Sequence, residues 1–340
     1  ATPLVIGAKG SPLELVLNTL YFGRETPERF PFAQVERVAA SGLALPIPMY
    51  VRFRAGDAAI VGTSLDYAAF RGLELASGSW MSRLGDCMLG ANVARRRRLG
   101  PGDSILSSPE TVFDIAGVYP LKMHIRGVLA PTGTPDDDAV FVDVKTAWVI
   151  EGLGHGHEDL SRPEAASRVL KREGNVVIGN ASVVQFNEIT PENSEAFHFH
   201  GDLGEFPITA LIAVPRDVKS GTILRGRYEV PGETHQILKP TSVLDELLGT
   251  VVAIKSYVVT AFLLVGVATL AVAALVFMLS LRLRRREIET MVKIGGSKAS
   301  VAAVLLSEIV LVLLTSALLA AVLTWATSTF GSQLVRTWLT

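Results

Sequence analysis

Four of the six histidines stand in two His-x-His pairs, GHGHED at His155 and His157 and FHFHGD at His198 and His200. In an extended strand, residues i and i+2 point to the same face, about 6–7 Å apart along the chain. A strand over FHFH would turn its two phenylalanines inward and set His198 and His200 together on the outer face. Neutral imidazoles in such pairs suit Zn²⁺ or Cu²⁺, and Asp202, Glu158 or Asp159 stands near enough in sequence to complete a site. The glycines of GHGH read as a flexible stretch able to wrap an ion. The competing reading is surface histidines in polar loops, and the spacing leaves open whether the two pairs form one site.

Elsewhere the residues offer little chemistry. No G-x-S-x-G elbow is present, so the many serines lack a nucleophile context. No G-x-x-x-x-G-K-[ST] loop is present to cradle nucleotide phosphates. Arg95, Arg96, Arg97 and Arg98 invite a phosphate reading, but without interleaved aromatics they read as a solvated helix face. A formal net charge of −1 gives no basic field for nucleic acid. Cys87 is the only cysteine, which rules out an intrachain disulfide. An enzyme acting alone is not expected.

The elements around these residues are of two kinds. Residues 1–250 mix charge, Gly and Pro as a folded domain does. FPFAQVERVAA (31–41) predicts a short amphipathic helix. ALPIPMYVRF (44–53), DAVFVDV (138–144), NVVIG (175–179) and FPITALIAV (206–214) predict strands. Mixed helix and strand with Gly/Pro turns makes an α+β domain. Most of the last 90 residues are nearly free of charge, which raises the mean hydropathy to +0.37. Residues 256–281 carry no charge at all. As a helix at about 1.5 Å per residue they extend roughly 39 Å, more than a hydrocarbon core of roughly 30 Å. A second apolar run, from Ala299 to about residue 327, holds one charge, Glu308, and gives way to Ser/Thr-rich sequence.

Between the runs, Arg282, Arg284, Arg285, Arg286, Lys293 and Lys298 crowd one short loop. Short loops rich in Lys and Arg stay in the cytoplasm, which places residues 1–250 on the outer side. Within the loop, Ile288, Met291 and Val292 share a helical face. Arg285–Glu289 and Glu289–Lys293 are i, i+4 pairs of opposite charge. Gly295-Gly296 ends this helix, and Ser297 is placed to cap the next. Such a helix could dock a cytosolic partner or lie in the lipid interface. Glu308 at a helix centre would cost roughly 2.5–3.5 kcal/mol. It is expected to pair with Ser280 or Lys255, or to relay a conformational change.

The first apolar run, then RRREIETMVKIGGSKASVAAVLLSE, then the second run resembles the FtsX-like permease domain of MacB-type ABC transporters. Gly295-Gly296-Ser297 stands at that family's Gly-Ala-Ser position, and Glu308 stands at its acidic one. IVGTSLDYAAFRGLELASGSW (60–80), MLGANVARRRRLGPGDSI (88–105) and IRGVLAPTGTPDDDAVFVDVKTAW (125–148) resemble the MacB-like periplasmic core in the expected order. GAKGSPLELVLNTLYF (7–22) is similar to the segment after the family's first span.

The resemblance implies a membrane-proximal segment over 1–26 and an extracytoplasmic α+β core over 27–250. A transmembrane domain would follow over 251–340, with spans at about 256–281 and 299–327 and a cytoplasmic coupling loop over 282–298. The family's first and fourth spans are expected to lie outside this sequence. The function implied is that of a permease subunit in the bacterial inner membrane, itself without catalysis. It would form homodimers, with ATP hydrolysed by a separate cytosolic ATPase. Arg285, Glu287, Ile288, Met291, Val292, Ile294, Gly295 and Gly296 would receive the ATPase stroke and pass it to the outer domain. The system served would be metal-linked, lipoprotein-handling or efflux, with a periplasmic carrier or effector as outer partner. The alternative is a membrane-anchored regulator that activates a cell-wall hydrolase from outside. For the metal-linked case the candidate ligands are His155, His157, His198, His200 and Asp202.

Overall fold

The computed structural model of the chain describes residues 2–108, 120–156, 169–173, 176–179 and 187–339. They form two compact units, Ala1–Thr250 and Val251–Thr340. The first unit runs through β1 (Leu4–Ala8), α1 (Pro12–Tyr21), β2 (Phe30–Pro31), α2 (Ala33–Ser41), β3 (Ala44–Ala55), β4 (Ala58–Thr63), α3 (Leu65–Arg71) and β5 (Leu75–Gly78). Next come β6 (Asp86–Leu89), α4 (Ala91–Arg97), β7 (Ser104–Leu106), β8 (Lys122–Leu129), β9 (Ala139–Asp143), α5 (Val144–Glu151) and β10 (Gly154–Gly156). The unit continues with β11 (Val169–Glu173), β12 (Val176–Gly179), β13 (Phe197–Phe199), β14 (Pro207–Ile208), β15 (Ala210–Pro215), α6 (Val218–Tyr228) and β16 (His235–Leu238).

Ten of these strands make one mixed sheet in the order β16-β1-β15-β3-β4-β9-β6-β8-β5, with β7 on β8. The β4–β9 and β6–β8 pairs are parallel. Its central strands read as unbroken apolar runs because both of their faces are covered. All six residues of β4 are buried, as are all four of β6. Alternate side chains feed two cores. One holds Ile6, Tyr50, Ile60, Val140, Val142 and Trp148; the other holds Val5, Leu15, Val61, Tyr67 and Phe141. Strand β8 instead alternates buried with half-buried residues. This is the expected α+β architecture, with helices on both faces of the sheet.

Three sequence expectations are refined. FPITALIAV is two strands, because Thr209 breaks the ladder. Its hydroxyl donates to Met49 O at 3.0 Å and accepts from Val51 N at 3.0 Å. GHGH is not a flexible wrap: residues 154–156 are the extended strand β10, paired with β13. Of NVVIG, Val176–Gly179 form β12, and position 175 lies outside the described residues. The arginine run ends α4 as a solvated face with local partners. Arg96 lies 2.5 Å from Asp138 and 3.3 Å from Asp57, and Arg97 lies 2.9 Å from Asp57.

The second unit is helical: the bulk of α7 (Pro240–Leu283), then α8 (Arg285–Lys293) and α9 (Lys298–Leu339). The backbone of α9 stays helical through the Ser/Thr-rich stretch. Pro240–Leu283 and Lys298–Thr329 are long and apolar enough to cross a membrane. Leu263, Leu264, Leu270, Leu313 and Leu318 are each about two-thirds exposed, with no protein covering them. Apolar surface of that kind along a whole helix is stable against lipid and not against water.

Candidate functional site

The histidine site is built outward from α5. Trp148 on that helix is fully buried, and its Nε1–H donates to Pro207 O at 2.8 Å. Its indole meets Phe32, Phe199 and Phe206 edge-on, at ring distances of 5.2, 6.3 and 5.0 Å. Glu151 in the last turn holds the helix end to the sheet. Its carboxylate accepts from Tyr50 Oη at 2.5 Å and from Arg52 at 3.2 Å, with Arg29 also paired to it. Gly152 (φ 89°) then takes the left-handed conformation that releases the chain directly into β10.

Strand β10 pairs antiparallel with β13, setting Gly154 opposite Phe199, His155 opposite His198 and Gly156 opposite Phe197. The two faces of this ribbon differ for a steric reason. A Cβ on Gly154 would stand 2.5 Å from the Phe199 ring, and one on Gly156 would stand 2.5 Å from the Phe197 ring. The phenylalanines thus lie flat over glycine backbone and pack on the core. The same alternation turns the histidines to the other face. Ring centroids are 4.8 Å apart for His155–His198, 5.0 Å for His155–His200 and 4.7 Å for His198–His200. One ring nitrogen from each lies within 4.8 Å of the other two. His198 Nδ1 is 3.0 Å from Ala196 O, a contact that requires the proton on Nδ1 and leaves the in-plane lone pair on Nε2.

The structure brings together His155, His198 and His200 from the candidate ligands. Asp202 is not with them. Its carboxylate accepts from Gly204 N at 2.9 Å and caps the 3₁₀ turn at Leu203–Glu205. A short acidic side chain just before a helical turn is drawn to the unpaired N–H groups there. His157, Glu158 and Asp159 lie outside the described residues.

The acidic run in TGTPDDD is structural. Asp136, 1% exposed, accepts from Tyr67 Oη at 2.7 Å, Arg71 Nε at 3.0 Å and Thr134 Oγ1 at 2.6 Å. Asp137 accepts from Thr132 N at 2.9 Å and Gly133 N at 2.8 Å. Burial would raise the Asp137 carboxyl, but these backbone donors outweigh it and hold it below the ordinary range. Burial pushes the Cys87 thiol up, which keeps it protonated. Beside a cleft of about 360 Å³, Arg126 pairs with Asp86 at 3.1 Å and His124 lies 3.2 Å from Glu188.

In the second unit, α8 carries the residues implied for ATPase coupling. Ile288 is half-buried, Met291 and Val292 are 42% and 44% exposed, and Ile294 is 81% exposed. Arg285 and Glu287 are exposed on the polar side. The helix closes with a Schellman turn: Gly296 N donates to Met291 O at 2.9 Å and Gly295 N to Val292 O at 3.2 Å, with Gly295 at φ 98°. Ser297 Oγ accepts from Ser300 N at 3.1 Å and caps α9. Arg285 Nε donates to Glu289 at 3.1 Å. With Glu289 turned back toward Arg285, Glu289–Lys293 is not an ion pair among the described residues. Glu308 meets neither Ser280 nor Lys255: it accepts from Arg284 Nη1 at 2.8 Å. Arg284 occupies the break between α7 and α8, so its side chain joins that break to α9.

These features define a membrane protein with an extracytoplasmic α+β domain. Residues 10–166 match the model of the MacB-like periplasmic core domain. Over those residues the outer unit is similar to a MacB-like periplasmic core domain. Among solved structures, the periplasmic region of MacB from Actinobacillus actinomycetemcomitans is similar at 10% identity and a TM-score of 0.39, covering 73% of this chain and 92% of its own. The extracellular domain of the noncanonic ABC-type transporter YknZ from Gram-positive bacteria is similar at 10% identity and a TM-score of 0.37, covering 69% of this chain and 99% of its own. No curated protein matches the chain.

Proposed function

We propose that this chain is the permease subunit of a MacB/FtsX-like ABC system in a bacterial inner membrane. In this reading α7 and α9 span the bilayer, α8 lies on the cytoplasmic side, and two copies assemble with a separate ATPase. The permease passes the ATPase stroke from α8 to the outer domain and has no chemistry of its own. The observation that carries the reading is α8 itself. It is a short amphipathic helix between two apolar helices, locked at its end by a Schellman turn and presenting Met291, Val292 and Ile294. The Arg284–Glu308 pair supports it, since a push on α8 would reach α9 through a charge-assisted hydrogen bond.

Met291→Asp places a carboxylate in the face that would meet the ATPase. Truncated or mismatched anchors at the centre of an interface cost at least about 2 kcal/mol, which is roughly 30-fold in affinity. Co-purification of the full chain with its ATPase is expected to fail for this variant, and stimulated ATP turnover is expected to fall with it. Unchanged association and turnover would remove α8 from the docking surface.

A further inference from the structure

We propose that His155, His198 and His200 contribute to a binding site for one divalent ion of the zinc class. Among the described residues, these three are the one set of three or more His, Cys, Asp or Glu donors that converge. They come from two segments brought together by strand pairing, β10 and the stretch from β13 into the turn at Gly201. Three imidazoles favour Zn²⁺, Cu²⁺ or Ni²⁺ over Ca²⁺ and Mg²⁺, which take oxygen donors. His155 and His198 are half-buried and His200 is exposed.

The distances suit a site awaiting its ion. Zn–N bonds of about 2.0–2.1 Å place tetrahedral nitrogens roughly 3.3 Å apart. The ring nitrogens already lie within 4.8 Å of one another. Side-chain rotation by about 1.5 Å closes that gap, and the strand register need not change. The surroundings fix what must not move. Phe197 and Phe199 are seated over glycine backbone, Phe199 abuts Trp148, and His198 is oriented through Ala196 O. A backbone carbonyl on the far nitrogen of a ligating histidine is the usual outer-shell support in metal sites. This site does not depend on the coupling role of α8, and either reading can fail without the other.

The test uses the full chain in detergent micelles, purified without a polyhistidine tag and dialysed against Zn²⁺, with bound metal measured by elemental analysis. One zinc per chain is expected, undisplaced by excess Ca²⁺ or Mg²⁺. Co²⁺ in its place is expected to give the intense visible absorption of tetrahedral coordination. His155→Ala, His198→Ala and His200→Ala should each weaken binding by more than the roughly 10–100-fold that loss of an outer-shell partner costs. The triple variant should abolish it, and His124→Gln with His235→Gln should leave it intact. Zinc is also expected to raise the thermal midpoint of the wild type and not of the triple variant, because an ion bound only by the folded state stabilises it. Should the triple variant fail to fold, His200→Ala, at the exposed ligand, carries the test. Absence of stoichiometric zinc in folded wild type would overturn the proposal. Undiminished zinc affinity in the triple variant, or loss of binding only in the His124/His235 variant, would do the same.

Discussion

Trp148→Ala is expected to destabilise the outer domain by about 3–5 kcal/mol, the range for emptying a large aromatic site in a packed core. In a domain of this size that lowers the midpoint of thermal unfolding by roughly 10 °C. Three terms combine. The indole volume is lost from a site with no solvent access. Pro207 O loses its donor at 2.8 Å. The edge-on contacts with Phe32, Phe199 and Phe206 also go, each worth about 0.5–1.5 kcal/mol. Because Phe199 rests on this indole, β13 loses its seat and the three histidines lose their common geometry. Zinc uptake should therefore fall together with the midpoint. Trp148→Phe keeps most of the packing and should fall between wild type and the alanine variant. A midpoint within about 2 °C of wild type for Trp148→Ala would show that α5 is not the anchor described.

Asp136→Leu is the second large effect, at about 3 kcal/mol. Removing one partner of a buried ion pair leaves the other uncompensated, at a cost of about 3–5 kcal/mol. The lower end applies because the Arg71 side chain is still 27% exposed. Tyr67 contributes its own penalty. Burial pushes its phenol up, so it stays protonated, and it would lose its carboxylate acceptor inside an apolar core. The signature is non-additivity: Arg71→Leu in the Asp136→Leu background should restore part of the lost stability. Strictly additive losses, measured by chemical unfolding of the two single variants and the double, would contradict a shared network at this corner.

Much of this was legible in the sequence where a pattern has one physical solution. DAVFVDV predicted a strand, and Ala139–Asp143 of it form β9. FHFH announced its alternation, and the phenylalanines do face the core while the histidines face out. The glycines of GHGH misled, because glycine signals freedom in isolation. Here each glycine is flat ground for a phenylalanine ring from the neighbouring strand, a long-range requirement with no local trace. For the same reason nothing local joined His155 to His198: their meeting depends on pairing across more than forty residues. Asp202 looked like a ligand by proximity, but the nearest unpaired N–H groups claimed it first. The partner of Glu308 was hidden because Arg284 lies 24 positions away on the far side of a helix break. At the loop itself, Gly295-Gly296-Ser297 was readable in full, since a helix stop followed by a helix start is written in adjacent residues.

The central claim is that ATP turnover on one side of the membrane moves the domain on the other. It is tested most directly by spin labels on the outer domain of the full chain, reconstituted in lipid nanodiscs with its ATPase. Label-to-label distances would be recorded between the two copies with and without ATP. A distance distribution that shifts on ATP binding and returns after hydrolysis, and that Met291→Asp freezes, is the predicted result. Distributions that stay unchanged while the ATPase turns over in the same nanodiscs would contradict mechanical transmission through this permease.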